Sequence, residues 1–144
     1  MSKEKTAESW LRVSELREQK SQMEVAKAQA QVVAAESYYD SSLARLAKSQ
    51  GIIRAQTANV VSAASIELLS RGLAADEAAV ARAREGVEAA KQKLGQIVAL
   101  HSEISKQRMV AEKYKARLRR ERIDEWERKQ DREASDRAGR TADN

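Results

Sequence analysis

Apolar side chains recur every three or four residues along the second half of the chain. The positions on this stripe are Val80, Ala83, Val87, Ala90, Leu94, Ile97, His101, Ile104 and Arg108. A looser stripe runs through the first half at Tyr39, Leu43, Leu46, Gln50, Ile53, Thr57, Val60, Ala64 and Glu67. Alternating steps of three and four build the seam of a coiled coil. The pattern therefore predicts two long helices that pack through these stripes.

Gly72 is the strongest interruption between the two stripes. Glycine takes the left-handed conformation that ends many helices, and Leu73 would then make the usual apolar contact with Leu68. Asp76 and Glu77 follow, and acidic residues favour the first turn of a helix. We predict a first helix over about residues 5–71, a turn over 72–75, a second helix over 76–137 and a frayed tail over 138–144.

The two stripes also predict a pairing between the helices. When residues whose numbers add to 147 are placed opposite each other, every position of one stripe meets a position of the other. The pairs include Val60 with Val87, Ile53 with Leu94, Leu46 with His101 and Leu43 with Ile104. The expected fold is all-α, a single long antiparallel two-helix coiled coil, or helical hairpin, over residues 1–144. A two-helix seam buries little area per residue, which favours an interaction protein.

The composition excludes most other fold classes. The 144 residues include no proline and no cysteine, whereas average proteins contain about 5% proline. Sandwiches, barrels and doubly wound folds need many turns, so they are excluded, and a disulfide framework or thiolate metal site is excluded as well. Apolar runs fall far short of the ~20 residues of a membrane span. No apolar segment follows the first residues as in a signal peptide, so we expect a soluble cytoplasmic protein.

Catalytic chemistry has little support in the sequence. The only histidine, His101, lies on the predicted seam, where a polar residue sets the register of a coiled coil. No glycine-rich phosphate loop occurs, and a two-helix rod has no concave pocket. We therefore predict no catalytic residue, no metal site and no cofactor, and we expect that the protein is not an enzyme.

A basic run gives the chain its one concentrated charge. Residues 113–122 contain six cations and one anion, within a chain whose formal net charge is +5. The run is a solvated face, a phosphate-binding surface or a docking site for an acidic protein. Nucleic acid is the less favoured alternative, because basic-zipper proteins place their basic region before the heptads, and here it follows them.

Apolar residues outside the seam indicate further contacts. From Gln31 to Ser70 only six residues are charged, and apolar residues off the stripe there are Val33, Tyr38, Ile52, Val61 and Ile66. Near the predicted turn, Ile66, Leu68, Leu69 and Leu73 form an apolar tip. Trp10 and Trp126 are expected to meet at the open end of the hairpin, and tryptophan is a favoured interface anchor. Either a second copy or another protein is expected to cover such surfaces.

Two short stretches resemble a known family. The leucine-containing start at residues 11–16, the stretch Ile123-Asp124-Glu125-Trp126 after basic residues, the length and the central turn look like the FliJ/SctO (YscO-like) family. Members are central stalk proteins of type III secretion systems, flagellar and injectisome. The resemblance implies an antiparallel coiled coil whose paired termini enter the pore of the hexameric export ATPase and stimulate it.

The resemblance also implies partners and site residues. The ATPase-binding residues would be Trp10, Leu11, Leu16, Arg119, Arg120, Arg122, Ile123, Asp124, Glu125 and Trp126. The cytoplasmic ring of the export gate would contact Ile66, Leu68, Leu69 and Leu73. Some members bind export chaperones, and the family works at the cytoplasmic base of the secretion apparatus without inserting into the membrane. The alternatives are a homo-oligomeric structural coiled coil and a basic nucleic-acid-binding helical protein.

Overall fold

The computed structural model describes residues 2–58 and 62–142 of the chain. These residues form two α-helices, α1 over Lys3–Thr57 and α2 over Ala63–Ala142. The helices pack against each other as an all-α helical hairpin, so the predicted fold class is confirmed. Neither helix has a stretch long and apolar enough to cross a membrane.

A serine begins each helix. The Ser2 hydroxyl accepts a hydrogen bond from the Lys5 backbone N–H at 3.3 Å. The Ser62 hydroxyl accepts from the Ser65 N–H, also at 3.3 Å, and the Ser62 carbonyl accepts from the Ile66 N–H at 3.2 Å. Serine is a preferred N-cap because its oxygen satisfies a backbone N–H that has no partner inside the helix. Ser62 therefore determines where α2 starts.

The predicted turn at residues 72–75 is wrong, and so are the predicted bounds 5–71 and 76–137. α1 ends at Thr57 and α2 begins at Ala63. Gly72 lies inside α2, and no glycine of the described residues has a positive φ. Glycine in a helix costs about 1 kcal/mol relative to alanine. Burial of Leu69 and Leu73 against α1 outweighs that cost, because both are half-buried seam residues.

The predicted frayed tail is also wrong over most of its length. α2 continues through Ala142, and residues 143 and 144 lie outside the described range. Val60, predicted in the seam, and Val61, predicted outside the seam, also lie outside the described residues.

The chain divides into two compact units. The central unit comprises Gln22–Leu100, and the terminal unit comprises Met1–Ser21 with His101–Asn144. Each unit contains a segment of both helices, and the two seams differ in chemistry.

The seam of the central unit combines small and aliphatic side chains. Ser49 donates a hydrogen bond to the Asp76 carboxylate, and this pair of residue numbers adds to 125. Arg84 donates a hydrogen bond to the Tyr39 hydroxyl at 3.4 Å, and Lys91 lies 3.9 Å from Glu36. The residue numbers of these cross-helix pairs add to between 123 and 127. Ser42 and Ala83 are, with Ala28, the most buried residues of this seam, at 2% and 4% exposure.

The stripe predicted for α2 is confirmed, whereas that for α1 is only partly right. All nine predicted α2 positions are buried or half-buried. On α1, Leu43, Gln50 and Thr57 are exposed, and Ser42 and Ser49 occupy the seam beside the first two. Ala64 and Glu67, which were predicted on the same stripe, lie in α2 and are exposed. The predicted pairing sum of 147 exceeds the observed sums of 123 to 127 by about three heptads. The pairs Ile53–Leu94, Leu46–His101 and Leu43–Ile104 are therefore wrong.

A stripe of small residues replaces the expected large ones on α1. Every seventh residue from 7 to 49 is alanine or serine, and all of them are buried or half-buried: Ala7, Ser14, Ser21, Ala28, Ala35, Ser42 and Ser49. Serine hydroxyls in such a seam need a partner. Ser42 finds one in its own helix, because it donates to the Tyr38 carbonyl oxygen at 2.9 Å.

The register predicts which engineered cysteines will cross-link. The chain has no cysteine of its own, so Ser49→Cys with Asp76→Cys introduces a single possible disulfide. We expect an intramolecular bond on mild oxidation, because the two side chains already touch. Ser49→Cys with Ile97→Cys is the matched control, since Ile97 lies on the same stripe three heptads further along. Mass spectrometry of the oxidised proteins distinguishes them, and cross-linking of the control pair alone would contradict the register.

Candidate functional site

Charged residues occupy the seam of the terminal unit. Arg108 donates from Nε to the Glu18 carboxylate at 2.8 Å and from Nη1 to Glu112 at 2.5 Å. Arg122 donates to Glu4 at 3.0 Å. The residue numbers of both cross-helix pairs add to 126, within the range found in the central unit. Glu18 and Arg108 are thus a charged pair within the seam, whereas the Arg122 side chain is 61% exposed and pairs with Glu4 at the surface.

The Glu18–Arg108 pair is partly shielded from water. The side chains of Arg108 and Glu18 are 28% and 24% exposed. The hydrogen bond from Arg108 holds the pKa of Glu18 below its ordinary range, against the opposing effect of burial. The Glu18 carboxylate in turn raises the pKa of Arg108. Both groups are therefore stabilised in their charged forms, which is the condition for an ion pair in a seam.

His101 is a polar seam residue, as predicted, but its partner differs. Its Nδ1 lies 2.9 Å from the hydroxyl of Ser21, which is itself 8% exposed. The predicted neighbour Leu46 belongs to the central unit. This hydrogen bond between a buried hydroxyl and a half-buried imidazole favours one alignment of the helices, because a buried polar group without a partner is costly.

An aromatic and basic groove lies on one side of the terminal unit. Trp10 meets Tyr114 edge to face, with ring centroids 5.8 Å apart, and the Arg117 guanidinium lies 5.5 Å from the Tyr114 ring centre. Beside Trp10 is an open groove of about 230 Å³. We call it the Trp10 groove, and its lining residues are Trp10, Ser14, Arg17, Glu103, Lys106, Gln107 and Val110.

The basic run does not form one uniform cationic face. Arg117 lies 3.6 Å from Glu121, Arg122 pairs with Glu4, and Lys115 is half-buried in the seam. Among the described residues, Arg119 and Arg120 form no ion pair. These two side chains are the cations of the predicted site that are available to a partner.

The other predicted ATPase-binding residues fall into two groups. Leu11 is half-buried in the seam, whereas Leu16, Ile123, Asp124, Glu125 and Trp126 are exposed. Arg122 pairs with Glu4, which is the second residue of α1. The part of α2 beyond Arg122 therefore has no described α1 residue against it.

The two tryptophans do not meet as predicted. Trp126 is twelve residues beyond Tyr114, the ring that Trp10 contacts, which is about 18 Å along the helix. The two tryptophans therefore mark separate surfaces of the terminal unit. The prediction failed because it inferred contact from their shared end of the hairpin, although their residue numbers add to 136 and match neither the predicted nor the observed register.

The predicted apolar tip is partly in the seam. Leu69 and Leu73 are half-buried, and Leu69 lines a small cavity of about 30 Å³ with Ile53 and Ile66. Leu68 remains 73% exposed, and Ile66 is also exposed. The predicted exposure of apolar residues off the stripe is confirmed for Val33, Tyr38, Ile52 and Ile66.

The sequence contained a signal for the charged seam that the analysis of apolar stripes missed. Glu4 and Glu18 are fourteen residues apart on α1, and Arg108 and Arg122 have the same spacing on α2. Opposite charges at matching heptad positions indicate paired helices. The signal becomes visible only when positions are compared in the correct register.

Comparison with known proteins identifies no relative. No family profile, no curated protein and no solved structure matches the chain. Within residues 2–58 and 62–142, no three histidine, aspartate or glutamate side chains come together in a way that suits a metal ion.

The lowered pKa of Glu18 predicts an acid-sensitive contribution to stability. A carboxylate with a depressed pKa in the folded state stabilises the fold above its unfolded pKa of about 4.3 and loses this effect as pH falls through the folded value. We expect Glu18→Gln to lower the melting temperature at about pH 7, and we expect its difference from the wild type to shrink as the pH falls below the unfolded pKa of about 4.3. Thermal unfolding followed by circular dichroism measures both.

Glu8→Gln is the control for this experiment. Glu8 is an exposed glutamate of the same helix and forms no ion pair among the described residues. An equal loss in the two variants, or a Glu18→Gln loss that persists in acid, would contradict the assigned role of the pair.

Proposed function

We propose that this chain is the central stalk of a type III secretion export apparatus. In this proposal the terminal unit inserts into the pore of the hexameric export ATPase and stimulates it. The central unit contacts the cytoplasmic ring of the export gate, and export chaperones are a further class of partner. The protein is then a cytoplasmic, non-enzymatic component at the base of the apparatus.

The observation that supports the proposal most directly is the exposed end of α2. Arg119 and Arg120 carry free charges, and Ile123 and Trp126 are exposed apolar side chains within two turns of them. Large aromatic side chains beside arginines are the typical hot spots of protein interfaces. The partner is proposed to be an export ATPase because residues 11–16 and 123–126 resemble the FliJ/SctO family.

The polar seam suits a shaft that transmits motion. If one helix slid along the other by a turn, the Glu18–Arg108 and Glu4–Arg122 pairs would separate and the His101–Ser21 hydrogen bond would break. Leaving such groups without partners is costly where water is partly excluded. A force applied to one helix would therefore be passed to the other.

The central unit offers a second surface for a partner. Leu68 and Ile66 are exposed near the start of α2, and Tyr38 and Ile52 are exposed on α1. Exposed apolar side chains in this number mark contact surfaces in soluble proteins. In the proposal, Leu68 and Ile66 are the residues left for the export gate, since Leu69 and Leu73 are engaged in the seam.

The first experiment is a titration of the candidate export ATPase with this chain. We expect the rate of ATP hydrolysis to rise and to saturate near one chain per hexamer, because a single pore admits one stalk. No change in rate, together with no co-elution at low salt, would contradict the stalk proposal.

Charge reversal tests the basic run. Arg119→Glu with Arg120→Glu is expected to weaken ATPase binding by roughly three- to tenfold at low salt, because exposed ion pairs contribute about 0.2–1 kcal/mol each. The effect should shrink as salt rises. Arg137→Glu with Arg140→Glu in the same helix is the matched control. Equal binding by the two double variants would remove the basic run from the interface.

Removal of the exposed tryptophan tests which unit enters the ATPase. Trp126→Ala is expected to weaken ATPase binding by about tenfold or more, since tryptophan hot spots contribute about 2 kcal/mol or more. Leu68→Ala, at a similarly exposed apolar residue of the central unit, should leave binding unchanged. The reverse ranking would mean that the central unit enters the ring. Isothermal calorimetry gives both affinities.

A further inference from the structure

Exposed charge is distributed unevenly around the part of the terminal unit where α1 and α2 are paired, residues 3–21 and 101–122. An α-helix turns by about 100° per residue, so residues on one side can be grouped by their angle from Trp10 on α1 or from Val110 on α2. Within about 80° of these two residues lie seven exposed cations and only two exposed acids. The cations are Lys3, Arg17, Lys20, Lys106, Lys113, Arg117 and Arg120, and the acids are Glu103 and Glu121. We call this side the Trp10 face.

The opposite side of the same paired part is balanced. Its exposed charged residues lie about 140° or more from Trp10 or Val110, and they comprise three cations and three acids. They are Lys5, Glu8, Arg12, Glu15, Glu112 and Arg119. The excess positive charge therefore belongs to the Trp10 face. It ends at Arg120, because Asp124 and Glu125 follow on the same side of α2.

Most cations of the Trp10 face are free to meet a ligand. Glu103 pairs with Lys106 at 3.2 Å, and Glu121 lies 3.6 Å from Arg117, so each acid is offset by a cation of the same face. The remaining five cations form no ion pair among the described residues: Lys3, Arg17, Lys20, Lys113 and Arg120.

Contacts between the helices show that the two rows of cations belong to one surface. Trp10 and Arg17 of α1 line the Trp10 groove together with Lys106 and Val110 of α2. Two helices that lie side by side in this way present a long open face rather than a cleft. From Lys3 to Lys20 it extends over seventeen residues, about 26 Å along α1.

Apolar side chains lie among these cations. Trp10 and Val110 are exposed, and Val13 lies one turn from Trp10 on the same side of α1 and is exposed as well. Tryptophan is enriched where a protein meets the boundary between water and lipid, and lysine and arginine reach from there to the anionic headgroups. A helix surface that binds at this boundary combines the same residue types.

We propose that the Trp10 face docks the chain onto the surface of an anionic lipid membrane. Trp10, Val13 and Val110 enter the headgroup region, and the free cations meet the phosphates and carboxylates of the lipids. The chain lies on the surface and does not span the bilayer. The proposal is independent of the stalk function, since it concerns a different side of the terminal unit from Trp126.

Single-stranded nucleic acid fits the Trp10 face less well than a membrane. Bases bind to exposed aromatic rings on which they can stack. Here the Arg117 guanidinium lies 5.5 Å from the Tyr114 ring centre, and Trp10 meets the same ring edge to face. Val13 and Val110 offer no ring at all. Exposed aliphatic side chains between cations are explained by lipid and are not used by a phosphate backbone.

Co-sedimentation of the full chain with lipid vesicles tests the proposal. We expect binding to phosphatidylcholine vesicles that contain about 30% phosphatidylserine, and we expect it to weaken as salt rises. Vesicles of phosphatidylcholine alone should not bind the chain. Absence of binding to the anionic vesicles at low salt overturns the proposal, and so does equal binding to both kinds of vesicle.

Charge reversal on the two sides of α1 locates the contact. Arg17→Glu with Lys20→Glu is expected to weaken binding to the anionic vesicles at least tenfold, because each basic residue near such a surface adds to the affinity. Lys5→Glu with Arg12→Glu is the matched control, since it changes the same residue types and the same net charge on the opposite side. Circular dichroism should show unchanged helicity in both. An equal loss of binding would mean that net charge alone attracts the chain, which overturns the proposal.

The two tryptophans report which side of the bound chain meets the lipid. Trp126 lies about 160° around α2 from Val110, so it points away from the Trp10 face. In Trp126→Phe, the emission of Trp10 should shift to shorter wavelength on anionic vesicles and be quenched by brominated lipid. In Trp10→Phe, the emission of Trp126 should do neither. The reverse pattern, or quenching of neither tryptophan in bound protein, overturns the proposal.

An oligonucleotide serves as the alternative ligand. If the chain ignores anionic vesicles but binds a single strand that Arg17→Glu with Lys20→Glu abolishes, the Trp10 face belongs to nucleic acid instead. The vesicle experiments contain no ATPase, and Arg17 and Lys20 are not among the residues assigned to ATPase binding. Failure here and failure of the stalk proposal are therefore distinguishable.

Discussion

The axial register between α1 and α2 decides which side chains this protein buries and which it presents. A heptad stripe repeats every seven residues, so it fits its partner equally well after a shift of whole heptads. Two features remove that freedom: the Ser62 cap, which starts α2, and the ion pairs Glu18–Arg108 and Glu4–Arg122. Once the register is set, Trp126 remains at the surface because it lies beyond the part of α2 that α1 covers.

The two units use different means to keep one register. The central unit combines aliphatic seam residues with small ones such as Ser42 and Ala83, and its stability comes from burial. The terminal unit also buries Ala7, Ala111 and Leu118, and it adds the Glu18–Arg108 pair to the seam. Partly exposed pairs contribute little net stability and are weakened by salt. Their value lies in specificity, because a carboxylate and a guanidinium match only one alignment of the helices.

Small residues in the seam contrast with large apolar side chains at the surface. Alanine and serine occupy one core position of α1 from residue 7 to residue 49, while larger apolar side chains such as Leu68, Ile52 and Trp126 are exposed. These exposed side chains do not stabilise an isolated hairpin, but their burial would stabilise a complex with a partner.

The sequence by itself determined the two-helix fold and excluded turn-rich architectures. It also determined the inner face of α2, since all nine stripe positions between Val80 and Arg108 are buried or half-buried. These follow from local periodicity and from the lack of proline. It could not determine the register, the position of the turn or the partners of Glu18 and His101. Gly72 is a strong local signal, yet burial of Leu69 and Leu73 outweighs its cost. Only tertiary packing distinguishes alignments that differ by whole heptads, because local patterns are identical in each of them.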